Sequence, residues 1–190
     1  MPKINAATVA EHRARQRAAL IGAAVDILVE QGAAAVTPAA VGARAGLARS
    51  SFYQYFGSGA ALLAAIVEES FTAADAAIAE ALENVEDPSA RIDAFVRAEL
   101  LLAGQGLHRP ADALMRADLP VECRDRVHEL HLLHYRPLMA AIAALGPADP
   151  QLTSRLVGGL LQAAMGVVEN GADPDDVASH ALKLVHHGLG

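Results

Sequence analysis

The sequence has a single cysteine, few aromatic residues and no apolar run long enough to cross a membrane. Cys123 has no partner for a disulfide within the chain, which fits a reducing cytoplasm. The longest apolar run, over residues 156–168, is interrupted by Gln162, whereas a membrane-spanning helix needs about 20 residues. The N-terminal segment is polar and lacks the apolar core of a signal peptide. We therefore expect a cytoplasmic protein without a membrane partner.

Acidic residues outnumber basic ones, and the net charge is -7. The imbalance is uneven along the chain, because residues 1–60 carry six basic and three acidic side chains. That segment has a charge of +3, whereas residues 61–190 have nine basic and 19 acidic side chains and a charge of -10. A basic N-terminal segment followed by an acidic remainder indicates that the basic segment contacts phosphates. The alternative is a solvated charge imbalance without function.

Alanine is abundant and β-branched runs are scarce, which favours helices. Thr37, Asp87, Asp149 and Asp173 each precede a proline, a pattern typical of helix starts. We predict an all-α fold of about nine helices, with no strand. The predicted helices cover residues 8–31, 38–45, 49–55, 59–84, 88–103, 110–118, 121–145, 150–170 and 174–187. Pro137 lies inside the seventh helix and is expected to kink or split it.

Four of the seven aromatic residues lie within residues 52–56, at the end of the segment TPAAVGARAGLARSSFYQYF. This segment reads as two short helices joined at Gly46, the pattern of a helix-turn-helix DNA reader. Phe52 and Phe56 have the four-residue spacing of packing residues. The other polar and aromatic side chains are expected to face DNA.

Each DNA-facing residue type has a chemical role. The Thr37 hydroxyl suits a phosphate oxygen, and Tyr53 and Tyr55 hydroxyls suit phosphates or base edges. Arginine bonds guanine bidentately, glutamine bonds adenine, and serine is permissive. The predicted DNA-binding set is Thr37, Arg49, Ser50, Ser51, Tyr53, Gln54 and Tyr55.

Residues 17–63 resemble the DNA-binding domain of the TetR (tetracycline-repressor-like) family of bacterial regulators. The matching features are Arg17, Ala24, Gly32, Thr37, Val41, Ala45-Gly46-Leu47, Tyr53, Phe56 and Leu62-Leu63. The resemblance implies a three-helix DNA-binding head in residues 1–58 and a helical ligand-binding and dimerisation body in residues 59–190. It also implies a homodimer that binds double-stranded DNA and a small-molecule effector.

The sequence departs from the family pattern at two glycines. The family usually has lysine at the position of Gly59, where it contacts a phosphate. It favours alanine at the position of Gly42, and glycine weakens a helix by up to about 1 kcal/mol.

The last two helices are expected to form the dimer interface. The helix over 150–170 is apolar on more than one face, with Leu152, Leu156 and Val167 on one side. Gly159, with Ala163, would let a second backbone approach closely. The alternative is burial of these faces within one monomer.

The body region over residues 88–145 offers apolar walls with a few polar groups, which suit a hydrophobic or amphipathic effector. The predicted ligand-binding set is Phe95, Leu102, Met115, His131, Tyr135 and Met139. One helix also carries a group of titratable side chains, namely Asp125, His128, His131 and His134. They could be metal ligands, polar contacts for an effector, or a partly solvated helix face. We expect no metal and no cofactor.

The sequence therefore predicts a ligand-responsive transcriptional regulator, most often a repressor. An enzyme is a second hypothesis, but the chain lacks a Ser-His-Asp order in context, a glycine-rich phosphate loop before a strand, and a His-Glu-x-x-His motif. A third hypothesis is a binding protein that keeps the fold but no longer binds DNA. Its only support is the two departures from the family pattern at Gly42 and Gly59.

Overall fold

The computed structural model describes residues 6–115, 117, 119 and 121–188. Within these ranges all regular structure is helical, with nine α-helices, one short 3-10 helix at Ala33–Ala35 and no strand. The α-helices are α1 (Ala6–Gln31), α2 (Pro38–Arg44), α3 (Arg49–Phe52), α4 (Gly59–Ala81), α5 (Pro88–Gly104), α6 (Arg109–Met115), α7 (Val121–Ala144), α8 (Pro150–Glu169) and α9 (Pro174–His187). The predicted all-α fold is confirmed.

Four helices begin with a capping side chain followed by proline, as the sequence predicts. Thr37 Oγ1 accepts from Ala40 N at 3.2 Å, and Asp87 Oδ2 accepts from Ala90 N at 2.8 Å. Asp149 and Asp173 cap α8 and α9 in the same way. Each cap satisfies a backbone N–H that has no partner inside the helix, and contributes about 1 kcal/mol.

α3 and α4 each end three residues earlier than predicted. α3 ends at Phe52, because Gln54 N bonds Ser51 O at 3.1 Å and Tyr55 N bonds Phe52 O at 3.0 Å, the tight three-residue spacing of a turn. α4 ends at Ala81, and Asn84 then has a positive φ of 61°. Asparagine tolerates this left-handed conformation, which stops a helix.

Pro137 does not split α7, so that part of the prediction is wrong. The helix continues from Val121 to Ala144, although proline removes one backbone donor. Leu138, Ala141 and Ile142 are buried on the following turns. Their burial in the core favours continuation of the helix past the missing hydrogen bond.

The described residues fall into two compact units. One contains those within Met1–Glu69 and Pro110–Val127, and the other those within Ser70–Arg109 and His128–Gly190. The division lies within α4, and the domain boundary between residues 58 and 59 stays a prediction.

The first unit has an apolar core formed from amphipathic helices. In it, α1 contacts the 3-10 helix and α2, and α2 contacts α3. Leu20, Val41 and Phe52 are fully buried, and each such side chain contributes about 1.5–3 kcal/mol through removal of its apolar surface from water. Phe56 is also buried, and its ring centroid lies 5.7 Å from that of Phe52, which confirms the packing role of both rings.

The second unit has a larger core. α5 contacts α8 and α9, and those two helices contact each other. Phe95 and Leu100 of α5 are fully buried, and Leu161 of α8 is 1% exposed. This core fixes the faces of α7 and α8 that carry the cavity described below.

Candidate functional site

Two glycines shape the connection between α2 and α3. Gly46 has a φ of +67°, a conformation that side chains with a Cβ rarely adopt. Gly42 is buried, and a Cβ there would lie 3.1 Å from the Leu47 carbonyl oxygen. Leu47 N also donates to Gly42 O at 2.8 Å. Gly42 therefore permits a close approach of the turn to α2, which gives a structural reason for this departure from the family's alanine.

The structure places the predicted DNA-binding residues along one short stretch. Thr37, Arg49 and Ser50 are exposed, and Ser51 is partly exposed. Arg49 has no ion-pair partner among the described residues, so its guanidinium is available to an external acceptor. These positions fit the DNA-binding prediction, which stays a prediction.

Three members of the predicted set lie beyond α3 rather than on it. Tyr53, Gln54 and Tyr55 occupy the turn after Phe52. Tyr53 is 49% exposed and packs edge-on against Phe52 at 5.4 Å between ring centroids. Gln54 is exposed as well. The prediction that Gln54 projects from the second helix is wrong, because that helix is shorter.

Tyr55 has an internal partner. Its hydroxyl donates to Gln16 Oε1 at 2.6 Å, which ties this turn to α1. The contact spans 39 residues of sequence, and no local pattern pointed to Gln16. Tyr55 therefore positions the turn in this structure, whereas the sequence alone assigned it a reading role.

Arg44 and Arg17 are engaged in ion pairs within this unit. Arg44 forms two hydrogen bonds with Glu30, at 3.0 and 2.6 Å, and the Arg44 guanidinium lowers the pKa of the Glu30 carboxyl. Arg17 pairs with Glu69 and lies over the Phe56 ring, with 5.6 Å from Cζ to the centroid. Arg17 is therefore less able than a free arginine to replace a missing phosphate contact.

The start of α4 is a second point of interest. Ser58 Oγ accepts from Ala61 N at 3.1 Å and caps the helix. A Cβ at Gly59 would meet only Val36 O, at 3.7 Å, which is an ordinary contact. A lysine would therefore fit at Gly59 without strain.

In the second unit, three predicted ligand-binding residues line one cavity. His131, Tyr135 and Met139 of α7 lie on its wall, and the cavity volume is about 640 Å³. The His131 and Tyr135 rings are stacked, with 4.7 Å between centroids and 26° between planes. The remaining lining residues are Leu132, Leu138, Ala143, Pro150, Gln151, Ser154, Arg155, Gly158 and Gln162. We call this space between α7 and α8 the α7–α8 cavity.

The other three predicted ligand-binding residues do not line the α7–α8 cavity. Phe95 is fully buried, and its ring lies 5.7 Å from that of Tyr135. Leu102 is 5% exposed and belongs to the same core. Met115 is 50% exposed at the end of α6, in the first unit. Phe95 thus supports the cavity wall from behind, and a ligand role for Leu102 or Met115 stays a prediction.

A buried polar network joins α4, α5 and α7, and the sequence did not indicate it. His134 lies between two carboxylates, with Nδ1 2.6 Å from Asp75 Oδ1 and Nε2 2.7 Å from Glu99 Oε1. Glu99 is fully buried and His134 is 4% exposed. Burial lowers the pKa of His134, but hydrogen bonds and charge from Glu99 and Asp75 outweigh it and raise the pKa above 6.5.

Two polar atoms in or beside this network are buried without a hydrogen-bond partner among the described residues. They are Glu99 Oε2 and His108 Nε2, which lie 3.4 Å apart. His134 is thus buried, so a partly solvated face is wrong for it, whereas Asp125 and His128 are exposed. Across the described ranges, no group of three or more His, Cys, Asp or Glu residues is arranged to hold a metal ion.

A smaller cavity of about 360 Å³ lies on another side of α7. Asp75, Arg91 and His134 are its charged or titratable lining residues, beside the apolar Ile78 and Leu133. Arg91 Nη1 donates to Val85 O at 2.7 Å. The acid and the bases of this cavity therefore have partners within the protein.

The turn at Gly46, the exposed Arg49 and the buried Phe52–Phe56 pair form a helix-turn-helix arrangement. Residues 20–66 match the family model of bacterial regulatory proteins, tetR family. The match covers the segment from the second half of α1 to the first turns of α4, so the similarity to this family is shown for that part of the chain. No curated protein matches the chain by sequence.

Solved structures share the fold over nearly the whole chain. A TetR-like transcriptional regulator from Rhodococcus sp. RHA1 has a TM-score of 0.79 at 21% identity, over 93% of this chain and 95% of that one. FadR from Bacillus subtilis, in complex with stearoyl-CoA, has a TM-score of 0.77 at 18% identity, over 90% and 98%. AibR, in complex with isovaleryl coenzyme A and operator DNA, has 0.75 at 14%, over 89% and 97%. At these identities the likeness establishes the fold alone.

Among the helices of the described residues, none is both long and apolar enough to cross a membrane.

Proposed function

We propose that this protein is a homodimeric repressor that binds an inverted-repeat operator and is released from it by a hydrophobic small molecule. The observation that carries the DNA-binding part is the head itself. It combines a glycine turn at Gly46, an exposed Arg49 on α3, and the match of residues 20–66 to the tetR family. A DNA-binding regulator acts in the cytoplasm of a bacterium, and we propose that location.

The dimer is supported by the two faces of α8. Leu161, Ala164, Met165 and Val168 are buried within the unit. On another face Leu156 is 66% exposed, and Leu152 and Val167 are each more than half exposed. Such a row of exposed apolar side chains favours a protein partner. A second copy of α8 and α9 fits, because two-fold symmetry places the same face on both partners.

The face also has room for a second backbone. Gly159 is exposed, and a Cβ there would meet nothing within 4 Å in one chain. Two heads related by a two-fold axis would read half-sites separated by one or more helical turns, each about 34–36 Å. An inverted repeat is therefore the expected operator.

The effector is supported by the α7–α8 cavity. Its volume of about 640 Å³ lies within the usual range for small-molecule sites. FadR and AibR, which share the fold, were solved with acyl-coenzyme A molecules, and AibR also with operator DNA. These ligands support a hydrophobic effector for this chain, and release from DNA is the output that we propose for its binding.

The test is a mobility-shift titration on the inverted repeat nearest the protein's own gene. The protein should shift this duplex, and at equal salt it should not shift a duplex with scrambled half-sites. Arg49→Gln should weaken binding, since it removes the charge and the bidentate donor of one base or phosphate contact per half-site. Arg97→Gln, on the exposed face of α5, is the matched control. Retention of the scrambled duplex at equal affinity would overturn the proposal.

A further inference from the structure

The α7–α8 cavity has an uneven charge that points to the kind of molecule it binds. The chain has 22 acidic and 15 basic residues, but the described lining of this cavity contains no aspartate or glutamate. Its one fully charged side chain is Arg155. The cavity is therefore positive within a protein that is negative overall.

Among the described residues, Arg155 has no hydrogen-bond or ion-pair partner that would explain its place there. It is exposed at the cavity, and no carboxylate of the described residues lies within ion-pair distance of it. This differs from the smaller cavity, where Asp75 already contacts His134. An arginine beside apolar walls suits the head group of an anionic ligand, because guanidinium matches carboxylate and phosphate oxygens.

The α7 side of the cavity is largely apolar, whereas α8 adds uncharged polar side chains to the opposite side, namely Gln151, Ser154 and Gln162. Leu138 is 1% exposed, and the stacked rings of His131 and Tyr135 present a continuous surface beside it. Such a wall suits an alkyl chain or a flat ring, which gains free energy by leaving water. The volume of about 640 Å³ accommodates a tail and a head together.

We propose that the α7–α8 cavity selects anionic amphiphiles, with Arg155 binding the carboxylate or phosphate head and the His131–Tyr135 stack contacting the tail. This rests on the proposed function, because the ligand of this cavity is then the effector. Neutral and cationic amphiphiles of the same length bind more weakly, since they lack the ion pair or meet a like charge.

The experiment compares four probes of equal chain length by calorimetry, on the full chain without DNA. The probes are decanoate, decyl phosphate, decanol and decyltrimethylammonium, with decanol below its solubility limit and the three ions below their micelle concentrations. Decanoate or decyl phosphate should bind tighter than decanol, and the cation most weakly. The better of the two anions identifies the head group. Decanol binding as tightly as both anions would overturn the proposal.

Arg155→Gln removes the positive charge but keeps a polar side chain, so it tests whether the charge of Arg155 is what binds the anion. The substitution should weaken anion binding by about two- to fivefold, the range for an exposed ion pair. Decanol affinity should not change. Arg97→Gln should change neither. Equal loss of decanoate and decanol in Arg155→Gln would mean a structural role and would overturn the assignment, as would an unchanged decanoate affinity.

The occupant of the cavity is tested at the same time. If a second copy of the chain fills the cavity, none of the four probes binds at any concentration tested, and the proposal fails. Because binding is measured without DNA, its outcome is separate from operator release. Selective anion binding with no effect on DNA affinity would contradict the proposed release and leave the ligand class intact.

Discussion

Replacing His134 with leucine should destabilise the body strongly. His134 and Glu99 are buried and bonded at 2.7 Å. In His134→Leu, the Glu99 carboxylate keeps its burial and loses its donor. Loss of one partner from a buried ion pair costs about 3–5 kcal/mol. Leucine is close to histidine in volume, so the cavity contribution is small.

The double variant gives the sharper result. His134→Leu with Glu99→Leu removes both charges, and apolar replacement of a buried pair is often neutral or stabilising. The double variant should therefore be more stable than His134→Leu alone. Asp75, whose side chain is half exposed, can be hydrated when its partner is lost. Asp75→Asn should cost about 1 kcal/mol or less.

The assay is urea unfolding at fixed protein concentration, followed by far-UV circular dichroism and by tyrosine fluorescence. Coincident transitions allow a two-state free energy of unfolding, and separate transitions exclude the two-state analysis. A cost under about 1 kcal/mol for His134→Leu would refute the reasoning. Strict additivity of the two single variants would refute it too, because residues in contact should be coupled.

The same network predicts a pH dependence. The pKa of His134 is raised in the folded protein, so the folded state binds this proton more tightly than the unfolded state. The resulting stability is present in full below pH 6.5 and is lost as the pH rises through the raised pKa. Wild type should lose stability over this window relative to His134→Leu. Parallel curves for the two proteins would contradict the assignment.

Three further substitutions test the head and the dimer. Gly59→Lys should tighten binding to many DNA sequences alike and increase the salt slope by about one, whereas Gly59→Gln should not; equal slopes in a salt series would exclude the phosphate contact. Gly159→Leu should dissociate the dimer, as measured by light scattering. A Cβ at this position meets no atom within 4 Å in one chain, so helix content should be unchanged. A loss of helix content would indicate misfolding rather than loss of the interface. Tyr55→Phe should lower stability by about 0.5–1.5 kcal/mol through loss of the bond to Gln16, and an unchanged urea midpoint would show that the bond contributes nothing.

Much of the fold was predictable because its signals are local. A capping side chain followed by proline marks a helix start within two residues, and Asp149–Pro150 and Asp173–Pro174 lie where predicted. The helix-turn-helix was predictable for the same reason, since the turn glycine and the aromatic pair are close in sequence. The end of α3 was not, because it depends on turn hydrogen bonds made by Gln54 and Tyr55.

The body was less predictable because its contacts join distant residues. The bonds of His134 span 59 residues to Asp75 and 35 to Glu99, and helical spacing gives no indication of either. The sequence placed Phe95 among the apolar residues of the 88–145 region, but it could not distinguish a core position from a cavity wall. His131 and Tyr135 were both in the predicted ligand-binding set, and their four-residue spacing places them on one face of α7.

Selection of bound duplexes from a random DNA pool tests the central claim most directly, because the selection assumes no operator sequence. After several rounds at low salt and sequencing, the retained duplexes should share an inverted repeat. Its half-site centres should lie about one or more helical turns apart, and a ligand of the α7–α8 cavity should release them. Retention of random sequence, or of a single half-site without symmetry, would contradict a dimeric, sequence-reading regulator.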